Sequence, residues 1–205
     1  QVKVGLSTVS IEGAQEALEK ENPDWNFEKV KTQAAEAWNN LLSRIDVSGT
    51  EEQKVNFYTS IYHLCIQPNN ITDVDGRYKG PNDSILHSPI GEYYSTLSLW
   101  DTYRAAHPLY TLLVPEKVNG FVNSMLSHCD IQGYLPIWAL WGKENHCMIG
   151  NHAIPVIVEA YLKGYKGFDP ERAYEAIRKS SLESHPKSDW ETYNQYGYYP
   201  FDLIP

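Results

Sequence analysis

Residues 27–45, with the sequence FEKVKTQAAEAWNNLLSRI, decide the fold class of this chain. Their apolar side chains recur at steps of three and four residues, as they do on one face of an α-helix. The residues of this face are Phe27, Val30, Ala34, Trp38, Leu41 and Ile45. Asp24 or Asn26 can cap the start of the helix, and Gly49 lies beyond its end. The segment therefore predicts a long amphipathic helix.

Helical patterns return along most of the chain. Thr50 and Gln53 have the spacing of a capping box, which predicts a helix that begins there and ends before Pro68. Further helices are predicted at residues 13–20, 97–113, 116–129, 149–165 and 170–182. Residues 68–95 are rich in Pro, Asn, Asp, Gly and Ser and predict a long loop. About seven helices with little strand predict a mainly α fold, either a bundle or an α/α toroid.

The two ends of the sequence differ from this helical pattern. Val2, Val4 and Leu6 alternate with other residues, which predicts a short N-terminal strand. Residues 198–205 are rich in proline and large apolar side chains, which is unusual at a terminus. We therefore expect the sequence to be part of a longer chain.

Composition limits the classes of function. The 205 residues suffice for one ordinary domain with a hydrophobic core. Lys and Arg number 17 and Asp and Glu 26, so the formal net charge is −9, which argues against nucleic-acid or anionic-membrane partners. No apolar run approaches the roughly 20 residues of a membrane helix, and three cysteines exclude a disulfide scaffold. Six Trp and 15 Tyr supply side chains that are common in ligand sites.

The segment SLWDTYR, residues 98–104, is the first candidate for chemistry. Asp101 lies three residues before Arg104, so the two side chains can pair on one face of a helix. One interpretation is a surface ion pair beside a buried Trp100. The other is a sugar site, in which a carboxylate held by arginine accepts hydroxyl hydrogen bonds and the tryptophan offers a stacking face.

The segment GKENHCMIGNH, residues 142–152, is the second candidate. Glu144, His146 and His152 are residue types that bind metals or transfer protons, and they precede a predicted helix. Their spacing matches neither His-Glu-x-x-His nor a zinc pattern. A polar turn with satisfied hydrogen bonds is the alternative, and Glu144 remains a candidate catalytic residue.

Two further features favour structural interpretations. Asp73 and Asp75 lie in DVDGRY, residues 73–78, but no Glu follows at the twelfth position of a calcium loop. We expect Gly76 to adopt a left-handed turn and Asp75 to brace Arg77. The three cysteines form no Cys-x-x-Cys pair, and we expect small buried side chains at Cys65, Cys129 and Cys147.

An ordered set of short motifs resembles a known family. The motifs are FYTSIYH at 57–63, DVDGRY at 73–78, YSTLSLWDTYR at 94–104, LPIW at 135–138, ENHCMIG at 144–150 and YLKG at 161–164. Together they resemble glycoside hydrolase family 92, the calcium-dependent exo-acting α-mannosidases. The resemblance spans nearly the whole chain, and its most specific part is the string LWDTYR.

The resemblance implies a particular fold. Family members have an N-terminal β-sandwich domain followed by an (α/α)6 barrel. Residues 1–11 would then be the end of the sandwich domain or the link from it. Residues 12–205 would be the first part of the catalytic barrel, truncated at the C-terminus, because a complete barrel needs twelve helices.

The resemblance also implies a function for the parent protein. Family members hydrolyse terminal α-linked mannose with inversion, and Ca²⁺ contacts the sugar. The partners would be a mannose-containing glycan, such as an N-glycan, and the rest of the catalytic domain, in a periplasmic or secreted setting. The strings that carry the family's general acid and general base do not occur here. We therefore expect this chain alone to be inactive, with most calcium ligands outside it.

The resemblance assigns sugar-binding roles to individual residues. Asp101 would bind mannose hydroxyls, Trp100 would shape the pocket and Arg104 would orient the carboxylate. Glu144 would face the same cavity, with His152 behind it. The tripeptide at 144–146 reads Glu-Asn-His where relatives have Glu-Thr-Asn or Glu-Thr-Asp. Two alternatives stay open: a non-catalytic carbohydrate-binding helical module, and another inverting (α/α)6 glycosidase.

Overall fold

The computed structural model describes residues 2–203, which form two compact units. The first unit comprises the residues up to Lys79 together with Ile85–Tyr94. The second comprises Gly80–Ser84 and the residues from Ser95 onward. Both candidate segments, at 98–104 and 142–152, belong to the second unit.

Three helices begin the first unit: α1 (Ile11–Glu21), α2 (Phe27–Leu42) and α3 (Glu51–Leu64). The predicted helix at 27–45 is confirmed as α2, with the Asn26 side chain accepting the Lys29 N–H at 3.0 Å. The predicted capping box is also confirmed, because Thr50 and Gln53 exchange side-chain and backbone hydrogen bonds. These helices formed as predicted because their caps and apolar periodicity are local signals.

The predicted loop at 68–95 contains four short strands: β1 (Asn69–Asn70), β2 (Arg77–Lys79), β3 (Ile85–His87) and β4 (Tyr94–Ser95). Strands β2 and β3 pair antiparallel, with Tyr78 opposite Leu86. The rings of Tyr78 and Tyr93 stack at 3.9 Å and join Ile71 in a small core. Three-residue strands are too short to produce a readable alternation, so the sequence predicted only a loop.

The predicted N-terminal strand is wrong. Residues 2–7 have no regular secondary structure, and Val2, Val4 and Leu6 are exposed. A strand requires backbone hydrogen bonds to a neighbouring strand. Among the described residues, no such bond reaches residues 2–7.

The second unit is mainly helical. Its helices are α4 (Leu99–Thr102), α5 (Ala106–Leu113), α6 (Pro115–Gln132), α7 (Ala153–Leu162), α8 (Pro170–Leu182) and α9 (Trp190–Tyr196), followed by a 3-10 turn at Phe201–Leu203. Helix α6 is central and packs against α5, α7 and α8. The core between them includes Leu99, Val122, Met125, Leu126, Leu135 and Ile157. No helix within residues 2–203 is both long and apolar enough to cross a membrane.

Two helix predictions in this unit need correction. The continuous helix at 97–113 is interrupted, because Leu97–Ser98 form strand β5 and residues 103–105 form a turn between α4 and α5. Helix α9 was not predicted, because its seven residues, WETYNQY, make only about two turns, which is too short for a full apolar repeat. The described residues therefore contain nine α-helices rather than about seven.

Candidate functional site

A small antiparallel sheet brings the two candidate segments together. Strand β5 pairs with β6 (Trp138–Leu140), which pairs in turn with β7 (Lys143–Glu144). Ser98 lies opposite Trp138, and Glu144 lies opposite Ala139. The segments at 98–104 and 142–152 therefore start from two strands that flank the same central strand.

Asp101 presents an exposed carboxylate at the first segment. It lies in α4, and its Oδ2 accepts a short hydrogen bond from the Ser98 hydroxyl. The adjacent Trp100 is 39% exposed. A carboxylate beside an accessible indole face is an arrangement that can bind a sugar ring through hydroxyl hydrogen bonds and stacking.

The predicted pairing of Asp101 with Arg104 is wrong. The Arg104 guanidinium lies 5.1 Å from the centre of the Tyr103 ring, and within residues 2–203 no ion pair joins it to Asp101. The reason is local, because α4 ends at Thr102 and Arg104 lies in the following turn. Helical spacing, which would bring the two side chains to one face, therefore does not extend to Arg104.

His152 connects the two segments through ring contacts. Its ring stacks on Tyr103 at 4.1 Å and meets Trp100 edge-on at 5.3 Å. Burial lowers the pKa of His152, and the nearby Arg104 charge lowers it further, against a backbone hydrogen bond with Ile149. His152 is therefore a neutral ring at neutral pH and acts as packing for the exposed indole.

Gly150 makes room for this histidine. Its φ is +88°, a left-handed conformation that side chains disfavour. A Cβ at this position would lie 2.6 Å from His152 Nε2. The segment therefore requires glycine for its backbone conformation and for the position of the His152 ring.

Glu144 anchors the second segment through its carboxylate. One oxygen, Oε2, accepts the Ile137 N–H at 2.6 Å and the Trp138 N–H at 3.1 Å. The other, Oε1, accepts the N–H groups of Trp138 and His146, both at 2.9 Å. Since main-chain donors converge on both oxygens, this side chain holds the loop to strand β6. The polar-turn interpretation describes Glu144 better than proton transfer does.

A buried cluster around Tyr134 was missed by the sequence analysis. The Tyr134 ring stacks on His185 at 4.5 Å, and its hydroxyl lies 3.5 Å from His146 Nε2. Burial, together with the negative charge of Glu144, raises the pKa of Tyr134 to about 12. His146 therefore lies beside the Tyr134 ring, in an aromatic environment. Only the fold brings these residues together, so no sequence spacing could have indicated the cluster.

His128 is the buried member of this neighbourhood. Its ring meets Tyr134 edge-on at 6.0 Å. Among the described residues, neither of its ring nitrogens has a hydrogen-bond partner. Burial lowers the pKa of His128, and the negative charge of Glu144 opposes that shift. The His128 ring is therefore uncharged at neutral pH.

Residues 2–203 contain no group of three or more His, Cys, Asp or Glu side chains that could hold a metal ion. Each carboxylate of the Asp-x-Asp-Gly loop contacts a side chain of the same unit: Asp75 pairs with Arg77 at 2.5 Å, and Asp73 accepts the Ser7 hydroxyl at 2.7 Å. Gly76 has a φ of +83°, as predicted. Contacts within the chain therefore brace this loop, as the sequence predicted for Asp75 and Arg77.

The cysteines are free thiols with different environments. Cys129 is buried and Cys65 is half-buried, whereas Cys147 is exposed, which corrects the expectation of a buried side chain there. Cys147 is exposed because it lies in the loop between β7 and α7 rather than on a packed face. Burial raises the pKa of the Cys129 thiol to about 11.

Comparison with known proteins gives one consistent family. The model of the glycosyl hydrolase family 92 catalytic domain matches residues 13–203. A family GH92 α-mannosidase from Bacteroides thetaiotaomicron has a similar structure, with a TM-score of 0.89 and 37% identity over 96% of this chain and 26% of that one. Its complex with mannoimidazole gives a TM-score of 0.88 with 36% identity, over the same shares of the two chains.

Two further relatives agree. A family GH92 inverting mannosidase from Bacteroides thetaiotaomicron VPI-5482 has a TM-score of 0.87 and 30% identity, over 97% of this chain and 28% of that one. An uncharacterized secreted glycosidase from Arthroderma benhamiae is 28% identical over 92% of this chain and 20% of its own length. This chain therefore spans about a fifth to a quarter of the length of these relatives. The likeness confirms the predicted fold class, mainly α and part of an (α/α)6 barrel.

Proposed function

This chain belongs to glycosyl hydrolase family 92, and from that membership we propose that it is part of an enzyme that removes terminal α-linked mannose from glycans with inversion. The names of its relatives support the proposal, since one is named an α-mannosidase and another an inverting mannosidase. The setting we propose is secreted or periplasmic, with support from the relative named as a secreted glycosidase.

The observation that carries the proposal is the exposed Asp101 carboxylate beside Trp100. Within residues 2–203 its Oδ1 has no hydrogen-bond partner, so this oxygen can accept from sugar hydroxyls. Trp100 offers an apolar face to the sugar ring, and His152 holds the indole from its edge. Arg104 is exposed above Tyr103 and is available as a further donor to sugar oxygens.

This chain supplies sugar binding rather than the proton transfers of hydrolysis. An inverting glycosidase uses a carboxylic acid to protonate the leaving oxygen and a carboxylate, ~6.5–9.5 Å away, to activate water. Glu144 is occupied by three main-chain N–H donors, and Asp101 faces the proposed sugar. We therefore place both catalytic carboxyl groups in the rest of the catalytic domain and expect this chain alone to be inactive.

Calcium belongs to the proposal for the parent enzyme. Ca²⁺ takes six to eight oxygen ligands, and the described residues contain no group of three or more His, Cys, Asp or Glu side chains that could supply several of them. We propose that the rest of the catalytic domain supplies these ligands, and no role for calcium is assigned to any residue of this chain.

A carbohydrate-binding module without hydrolytic activity is the second candidate. It is favoured by the engagement of Glu144 with main-chain donors, because this engagement makes Glu144 a poor group for proton transfer. The two candidates differ in turnover, because only an enzyme releases the sugar that it binds.

The test uses the full-length protein that contains this chain. We expect release of mannose from para-nitrophenyl α-mannoside, with the β-anomer detected first by proton NMR, because inversion converts α to β. Activity should fall on dialysis against EDTA and return with CaCl₂. A panel of other aryl glycosides distinguishes a different inverting glycosidase. Sugar binding without any turnover would favour the binding module and contradict the enzyme proposal.

A further inference from the structure

Ser98 occupies the boundary between β5 and α4 and does not perform the usual function of a serine there. It is the N-cap residue of α4, yet its hydroxyl makes no hydrogen bond to the backbone N–H groups of the first turn. Such a cap stabilises a helix by about 0.5–2 kcal/mol. With Asp101 at the third helical position, the spacing also matches a capping box, which is not formed here.

The Ser98 hydroxyl instead donates to Oδ2 of Asp101. Among the described residues, this is the one hydrogen bond that the Asp101 side chain makes, and Asp101 is otherwise exposed. A donor to a carboxylate forms a charge-assisted bond, which is stronger than a bond between neutral groups. The orientation of the Asp101 side chain therefore depends on Ser98.

Ser98 is itself held firmly. It pairs with Trp138 across β5 and β6, and its carbonyl accepts the Thr102 hydroxyl at 3.1 Å. A donor mounted on a strand fixes its partner better than one on a mobile loop. Arg104 does not orient the Asp101 carboxylate in this arrangement, because its guanidinium lies over the Tyr103 ring.

We infer that Ser98 is the positioning residue for Asp101: it engages Oδ2 so that Oδ1 is presented to a hydroxyl of the bound sugar. This inference rests on the proposed function. Without Ser98 the carboxylate would rotate freely, and binding would have to order it. Removal of the Ser98 hydroxyl should weaken the affinity for the sugar. The same removal should have little effect in a protein in which residue 101 is no longer a carboxylate.

The test is a double-mutant cycle in the full-length protein with Ser98→Ala and Asp101→Asn. Calorimetric Kd for mannoimidazole and the kcat and KM for para-nitrophenyl α-mannoside are measured for each variant. We expect Ser98→Ala to weaken binding by about tenfold. In the Asp101→Asn background the same change should weaken it less than about twofold. Ser98→Thr retains the hydroxyl and should restore most of the affinity.

The controls separate positioning from a loss of folding. Ser60→Ala removes a serine hydroxyl that donates to the Asn56 carbonyl at 2.7 Å on helix α3, and it should leave Kd unchanged. If Ser98→Ala fails to fold, Ser98→Cys carries the same test, because a thiol is a weak donor of similar size.

The outcomes distinguish the inference from the proposed function. Wild-type protein that neither binds mannoimidazole nor hydrolyses the mannoside overturns the proposed function, and the role of Ser98 falls with it. Wild-type protein that binds, with equal losses from Ser98→Ala in both Asp101 backgrounds or with no rescue by threonine, overturns the inference alone. A loss of affinity from Ser98→Ala that occurs with Asp101 intact but not in the Asp101→Asn protein supports the inference.

Discussion

Replacing Glu144 with alanine should release the loop at 142–152 locally. The change removes the acceptor of three main-chain N–H groups, those of Ile137, Trp138 and His146. An unsatisfied buried donor costs about 1–3 kcal/mol, and the low end applies because Glu144 is only half-buried and water can replace part of the loss. Three donors at about 1 kcal/mol each give about 3 kcal/mol.

Hydrogen exchange measured by mass spectrometry on the full-length protein checks this estimate. A local opening that is about 3 kcal/mol easier accelerates exchange by about 150-fold, since each 1.36 kcal/mol is tenfold. Peptides that cover residues 137, 138 and 146 should show this acceleration. Glu159→Gln is the matched control, because the half-buried Glu159 pairs with Lys163 on α7 at 2.7 Å and accepts none of these three N–H groups. Unchanged protection of the three amides in Glu144→Ala would refute the anchoring argument.

Two further predictions concern glycine and histidine. Gly150→Ala should lower the free energy of unfolding by about 1–2 kcal/mol because of its φ of +88°, and it should also weaken sugar binding by displacing His152. Gly133 has a φ of +86° with open space around it, so Gly133→Ala is the control and should show only the loss of stability in a melting experiment. Burial lowers the pKa of His107 to about 4 from 6.5. The unfolded chain therefore binds the extra proton first, and the contribution of His107 to stability is lost as pH falls from 6.5 toward 4. At pH 5 the loss from His107 is about 2 kcal/mol. Burial also lowers the pKa of His128, so both proteins should lose stability between pH 7 and pH 5 in urea unfolding, and the loss should be about 2 kcal/mol smaller in His107→Phe than in the wild type; equal losses in both proteins would contradict the assignment.

The sequence predicted the parts of the fold that depend on local signals. Helix α2 has an apolar face and an Asn26 cap, and α3 has the Thr50 capping box, so both were predicted close to their true positions. Strand β5 was predicted as helix because its partner β6 lies about forty residues away, and such pairing leaves no mark in a local window.

The candidate site also has parts that the sequence predicted and parts that only the fold shows. The motif SLWDTYR identified Asp101 and Trp100, and the sheet does bring this segment close to the Glu144 loop. The choice between Arg104 and Ser98 as the partner of Asp101 depends on where α4 ends, which the sequence did not indicate. The engagement of Glu144 depends on the main-chain N–H groups of a preceding segment, so its role as an anchor required the fold.

The most direct test of the central claim is mannose release from para-nitrophenyl α-mannoside by the full-length protein, measured for the wild type and for Asp101→Ala. We predict turnover by the wild type and the loss of most of it in Asp101→Ala, with an unchanged melting temperature because the Asp101 side chain is exposed and makes a single hydrogen bond among the described residues. Near-normal turnover by Asp101→Ala would contradict the sugar-binding role of this segment.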